Sequence, residues 1–270
     1  MGRKRRLDQL LAERGLFESR ARAAASVIAG DVLLLPDRRR ADKPGLMVAD
    51  DVELEVRATQ DFVSRGGVKL ANALDAFGLD VTGARVLDVG ASTGGFTDCL
   101  LQRGAEHVVA LDVAYGELSW RLREDARVTV LERRNARNLL PGELPYAPGL
   151  IVIDVSFISL TKVLPAVLAC AAARYDCLAM VKPQFEVGRE GIGKGGVVRE
   201  ARFRREAIVD VGRAALALGA VVAGVAPSGL PGPKGNRETF LWLVNPAHPP
   251  RAGVDLEHAA LEAEPGEGTP

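Results

Sequence analysis

The sequence predicts a small α+β unit followed by a Rossmann-like α/β domain with a doubly wound, seven-stranded sheet. Three observations carry this. Seven short apolar segments are interspersed with segments of helical periodicity, the pattern of an open sheet covered by helices. The first of them runs directly into a glycine-rich turn. The stretch before them has a different texture, with two short helical patterns and then strand patterns broken by turns. A chain of 270 residues, 47% of them hydrophobic, is long enough for two cores.

In the amino-terminal part, Leu7, Leu10 and Leu11, then Ala21, Ala24, Ala25 and Ile28, recur at helical spacing. Ser19 can cap the second helix, because its hydroxyl accepts from an orphan backbone N–H. Gly30-Asp31 ends that helix, and Val32-Leu33-Leu34-Leu35 reads as a strand. After a turn-rich stretch holding Pro36, Asp37, Pro44 and Gly45, Val52-Glu53-Leu54-Glu55-Val56 alternates as a half-buried strand. This unit spans 1–59, a linker 60–64 and the α/β domain 65–246. In the latter a helix runs through Leu70, Leu74 and Phe77. Strands are expected at 85–89, 107–112, 128–131, 150–155, 177–181, 221–225 and 239–244, with helices at 160–173 and 203–218. Proline and acidic residues dominate the end, and 247–270 is expected to be a disordered tail.

The 35 basic and 35 acidic residues cancel, but not locally. Residues 1–40 carry ten Lys/Arg against five acids, and 246–270 carry one Arg against five acids. Cys99, Cys170 and Cys177 fit neither a disulfide framework nor a zinc spacing, so small buried hydrophobes in a reducing compartment are expected and no metal is. The basic start leads into no uninterrupted apolar run, and no stretch approaches the ~18 apolar residues of a membrane span. A soluble, cytoplasmic, monomeric protein is expected.

The chemistry concentrates after the first sheet strand. Asp88-Val89-Gly90-Ala91-Ser92-Thr93-Gly94-Gly95-Phe96 runs from strand through turn into helix. Glycines let a ligand approach the backbone, and the helix start offers unpaired N–H groups. A dinucleotide fingerprint would need Gly where Ser92 stands, and a phosphate-binding loop would need Lys where Phe96 stands. Asp88 before the first Gly suits a ligand with a cationic amine and hydroxyls, and Asp112, ending the next strand, is placed to accept both hydroxyls of a ribose. S-adenosylmethionine is such a ligand.

Four ionisable residues fall at the mouths of predicted elements: Lys69 after Ser64-Arg65-Gly66-Gly67-Val68, Asp154, Lys182 before Pro183, and Glu238. Ligands of open sheets bind beyond the carboxyl ends of strands, where Asp154 and Lys182 must lie. Glu238 opens its strand, so it reaches that rim only if the strand is antiparallel. Scattered surface charge is the default for any one of these residues. Only seven of the 35 basic residues are Lys, however, and Lys can give up its proton where Arg cannot.

With these motifs in order, residues 5–246 resemble the TlyA family of ribosomal RNA 2′-O-ribose methyltransferases, also labelled haemolysin A. The resemblance rests on Ser64–Leu70 as read above, on the glycine turn through Asp98, and on Asp154-Val155-Ser156-Phe157-Ile158-Ser159-Leu160. Val181-Lys182-Pro183-Gln184-Phe185-Glu186 and Gly235-Asn236-Arg237-Glu238 complete it. Arg6-Leu7-Asp8, Ser19-Arg20 and Ile28-Ala29-Gly30 resemble an RNA-binding module named for a small-subunit ribosomal protein. The resemblance implies a class I methyltransferase fold, S-adenosylmethionine, cytidine riboses of ribosomal RNA or ribosomal subunits as substrate, and a tetrad of Lys69, Asp154, Lys182 and Glu238. Cofactor contacts are then expected from Asp88, Gly90, Ala91, Ser92, Thr93, Gly94, Gly95, Phe96 and Asp112.

A 2′-hydroxyl is a poor nucleophile until it begins to lose its proton, and Lys182 is assigned to contact it as general base. Phosphate contacts are expected from Arg3, Lys4, Arg5, Arg6, Arg20 and Arg22, with Arg65, Arg189 and Lys194 as further RNA-facing cations. The segment Val187-Gly188-Arg189-Glu190-Gly191-Ile192-Gly193-Lys194-Gly195-Gly196-Val197 is five-elevenths Gly, and is expected to be mobile until it orders over the target nucleotide. Two rivals come from other classes. A membrane-lytic toxin would need an amphipathic or spanning segment that the sequence does not offer. A noncatalytic assembly factor would not need the intact tetrad and turn.

Overall fold

The computed structural model describes residues 4–17, 19–56, 62–246 and 253–265. Its compact units divide after Asp61. The first contains β1 (Lys4–Arg6), α1 (Leu7–Glu13), α2 (Arg20–Ala29), β2 (Val32–Leu34), β3 (Arg39–Arg40), β4 (Met47–Ala49) and β5 (Leu54–Val56). β1 pairs antiparallel with β4, and β2 pairs antiparallel with both β3 and β5. Ser19 caps α2 by accepting from the Arg22 N–H at 3.2 Å. Leu7, Leu10 and Leu11 are buried as their spacing predicts, but α2 turns a different stripe inward. Ala23 and Val27 are buried, while Ile28 is 76% exposed. Neighbouring stripes of an alanine-rich helix are both apolar, and the partner surface selects between them.

The second unit begins its regular structure with α3 (Arg65–Phe77), β6 (Arg85–Val89), α4 (Gly95–Gln102), β7 (His107–Leu111), α5 (Trp120–Arg123), β8 (Val128–Leu131) and β9 (Leu150–Ile153). It continues with α6 (Leu164–Ala169), β10 (Asp176–Val181), α7 (Pro183–Glu186), α8 (Ala201–Ala217), β11 (Val221–Pro227), β12 (Thr239–Val244) and α9 (Leu256–Ala263). The seven strands lie in the order β11-β12-β10-β9-β6-β7-β8. β6 to β10 are parallel, and β12 runs antiparallel to both of its neighbours.

Alternation along each strand sends side chains to two cores. Leu87, Val89, Ile151 and Ile153 face α6, α8 and α9, whereas Val86, Val108, Val152 and Phe240 face α3 and α4. Strands buried on both faces read as continuous apolar runs, which is why they are legible in sequence. The helix expected over 160–173 is instead a 3-10 turn (Leu160–Lys162) followed by α6, because Pro165 lacks an N–H and fits only a first turn.

The expected disordered tail is corrected in part. Asp255 caps α9 by accepting from the His258 N–H at 3.0 Å, and Leu256 and Ala260 are buried in the second unit's core. Composition had hidden two apolar residues one helical turn apart.

Candidate active site

The glycine turn joins β6 to α4. Gly90 has φ +87°, and a Cβ there would lie 2.6 Å from the Asp154 carbonyl oxygen, so only Gly lets the turn pack against the end of β9. Ser92 adopts φ 47° despite its Cβ, a strain of roughly 1–2 kcal/mol. It is held there by Asp112, whose carboxylate accepts from the Ser92 N–H at 2.7 Å and the Ala114 N–H at 2.8 Å. Asp112 is thereby fixed, with lone pairs left for a ligand.

Asp88 lies fully buried in β6. Thr97 Oγ1 donates to its Oδ2 at 2.6 Å, while Oδ1 is buried without a hydrogen-bond partner among the described residues. Burial, chiefly, pushes this carboxyl up to about 7; Thr97 opposes the shift, and the charges of Asp154 and Asp112 add to it.

Above the turn opens a cleft of about 520 Å³ lined by Gly90, Ser92, Asp112, Asp154, Ser156 and Phe157, with Arg134 and Asn135 on its far wall. This is the size of a nucleoside-cofactor site. Two carboxylates in the lining and an orphaned buried carboxyl oxygen beneath suit a cationic ligand that carries hydroxyls, so the residues present fit S-adenosylmethionine. The other residues of the turn sit differently. The Gly90 and Ala91 N–H groups both donate to the Leu111 carbonyl, at 2.8 and 3.1 Å. Ala91, Gly94, Gly95 and Phe96 are buried, the Phe96 ring centroid 5.9 Å from that of Phe240, and they shape the turn from behind. Thr93 is exposed, its carbonyl accepting from the Ser119 N–H at 3.2 Å.

The four ionisable residues converge as two ion pairs. The ladder of β10 and β12 ends at Val181 opposite Thr239, so Lys182 and Glu238 come next on adjacent strands. The antiparallel run of β12 is what brings Glu238 to this rim. The Asp154 N–H donates to the Val89 carbonyl at 2.9 Å, which places Asp154 between the glycine turn and Lys182. Lys182 Nζ lies 2.6 Å from Asp154 Oδ1 and donates to Ser156 Oγ at 2.9 Å. Lys69, on α3, pairs with Glu238; the two are 6% and 3% exposed.

Among the cleft residues that sequence reasoning left unassigned are Ser156, Phe157, Arg134 and Asn135. They follow the carboxyl ends of β8 and β9, so strand position was the available signal. Phe157 is 92% exposed at φ 64°, its ring 5.3 Å from that of Phe185. Glu186 secures this loop by accepting from Ser159 Oγ at 2.6 Å and the Leu160 N–H at 2.9 Å; burial pushes its carboxyl up.

The cations expected to face RNA divide into two groups. Arg5 pairs with Glu13 and Asp50, and Arg6 and Arg20 each reach Asp8 at 2.9 Å. Asp8 is 3% exposed, and the Arg6 guanidinium, with Arg20, holds its carboxyl down at about 2. Lys4, Arg22, Arg189 and Lys194 are exposed, and Arg65 donates to the Pro231 carbonyl at 2.8 Å. Arg3 lies outside the described residues. The glycine-rich segment is less free than its composition predicts. Arg189–Gly191 forms a 3-10 turn, Gly193 bridges Val197, and Asn236 Nδ2 donates to the Gly196 carbonyl at 2.9 Å.

Comparison with known proteins shows the family. Residues 62–245 match the model of the FtsJ-like methyltransferase family. The chain is 48% identical to the Mycobacterium tuberculosis protein named 16S/23S rRNA (cytidine-2′-O)-methyltransferase TlyA, covering 97% of this chain and 98% of that one. It is 36% identical to Hemolysin A of Brachyspira hyodysenteriae, covering 88% and 99% of the two chains. A solved structure from Streptococcus thermophilus, described as a hemolysin, superposes with a TM-score of 0.73 at 40% identity over 96% of this chain and 95% of that one. Among the described residues no helix is long and apolar enough to cross a membrane. The chain belongs to the FtsJ-like methyltransferase family and, within it, to the TlyA group.

Proposed function

We propose that this chain transfers a methyl group from S-adenosylmethionine to the 2′-hydroxyl of cytidine ribose in ribosomal RNA. The observation that carries the reading is the juxtaposition of Lys182, held by Asp154 and Ser156, with the nucleoside-sized cleft that Asp154 also lines. The name of the 48% identical relative supports cytidine and ribosomal RNA as the substrate.

S-adenosylmethionine supplies a methyl group activated by its sulfonium. Asp112 would accept the ribose hydroxyls of the cofactor, Ser92 and Gly90 would line its seat, and Asp88 underpins the turn. Ser156 Oγ accepts one N–H of Lys182 and Asp154 Oδ1 lies 2.6 Å from the same nitrogen, which leaves another side of it for the 2′-hydroxyl. In its amine form Lys182 would take the 2′-hydroxyl proton as that oxygen accepts the methyl group the cofactor would supply. Lys69 and Glu238 complete the wall behind it, their buried pair fixing the start of β12 against α3. With no covalent enzyme intermediate, positioning supplies most of the acceleration. The first unit docks folded RNA through phosphate contacts, with Arg22 and Lys4 among its exposed cations.

The test is two measurements on the full chain. Calorimetry should show S-adenosylmethionine binding, which a noncatalytic assembly factor does not require. Mass mapping of ribosomal RNA treated with the protein should show new 2′-O-methylcytidines. Binding without any new methyl group would overturn the reading.

A further inference from the structure

The residues after 252 do more than end the chain. Glu264, just past α9, is 2% exposed, and its Oε2 accepts from Arg204 Nε at 2.8 Å and lies 3.6 Å from Arg237 Nη1. Arg204, on α8 and 6% exposed, also donates through Nη1 to the carbonyls of Val198, at 3.2 Å, and Arg199. Arg237 directly precedes Glu238, and Val198 directly follows the glycine-rich segment. The Val198 N–H is in turn held by Asn236 Oδ1 at 2.9 Å. One buried carboxylate therefore reaches, through two guanidiniums, the turn that presents Glu238 and the downstream anchor of the segment carrying Arg189 and Lys194.

Apolar burial alone would dock α9. Leu256 packs so closely on α8 that a Cβ at Gly212 would come within 2.6 Å of its Cδ2. A buried carboxylate adds desolvation cost and is a poor means of adding stability for its own sake. What it adds is direction, because the hydrogen bond from Arg204 Nε fixes where that guanidinium lies, and the same oxygen draws Arg237 toward it by charge.

We propose that Glu264 is a positioning residue for methyl transfer, setting the Arg237–Glu238 turn and the hinge of the glycine-rich segment. This rests on the reading of that rim as the catalytic site. The test uses the full-length protein with Glu264→Gln, which keeps the shape and loses the charge. At a temperature well below its Tm, kcat/KM for RNA methylation should fall about tenfold, while the S-adenosylmethionine Kd stays within twofold. Amide hydrogen exchange at 193–198 should accelerate about tenfold, with β6 and β9 unaffected. A lowered Tm with wild-type kcat/KM, or unchanged exchange at 193–198, overturns the proposal and leaves Glu264 a stabilising contact. If Glu264→Gln does not fold, Arg237→Gln decides, because Arg237 is exposed and its loss leaves the buried Arg204–Glu264 pair in place. It should lower kcat/KM at least threefold without moving Tm, and wild-type activity there overturns the proposal. If the wild-type protein methylates no RNA, the functional reading fails and the exchange measurement still decides the positioning role.

Discussion

Lys182 sits at the end of β10 beside Asp154 and Ser156, so under the proposed function replacing it would remove a contact to the reacting hydroxyl and none to the cofactor. Lys182→Ala should lower the single-turnover methylation rate more than tenfold, a barrier change above ~1.4 kcal/mol, and leave S-adenosylmethionine affinity by calorimetry within twofold. Retained rate would move the base elsewhere. Asp88 makes a prediction about pH. Its folded-state carboxyl, at about 7, lies above its usual 3.8, so the folded protein keeps a proton that the unfolded chain has released. Its contribution to stability therefore declines as pH rises from about 4 to about 7 and is level above that. In the ligand-free protein, Asp88→Asn should flatten the fall in Tm across this window. Parallel pH–Tm curves for the two proteins would show that the buried carboxyl is not the titrating group.

At the scale of elements, the glycine-rich segment is the informative case. Its composition predicts disorder, yet the 3-10 turn, the Gly193–Val197 bridge and Asn236 give it shape and a hinge. A segment pinned at one end and exposed at Arg189 and Lys194 can swing as a unit over bound RNA. Combined Arg189→Ala and Lys194→Ala changes should lower RNA methylation several-fold without altering cofactor affinity. Exchange at 189–196 should slow when RNA binds, and equal rates with and without RNA would make the segment a spectator. α2 shows the converse limit. Periodicity located the helix and not its inward face, because Ala24 and Ile28 present as credible a stripe as Ala23 and Val27 until a neighbour chooses.

At the scale of the molecule, each unit has its own core, so the first should be separable from the second. Deleting residues 1–59 should leave S-adenosylmethionine binding intact and remove most RNA affinity together with its salt dependence. A truncated protein that methylates ribosomal RNA normally would show that docking lies elsewhere. Because Arg5, Arg6 and Arg20 are engaged by carboxylates, the salt dependence lost should be smaller than the count of cations in 1–40 implies. The strands, the glycine turn, the order of the motifs and the four ionisable residues were determined by the sequence alone, since each is written in local pattern: apolar runs, conformational need, residue type at a strand mouth. Who partners whom was decided only by tertiary structure. The antiparallel insertion of β12 brings Glu238 to Lys69, and packing buries Phe96 on α4 while the loop after β9 leaves Phe157 exposed. Glu264 stands beside Arg204, sixty positions away, where composition predicted only a solvated acid. Local pattern is set by neighbours within one turn or one pleat, whereas such pairings depend on which faces the chain closes together.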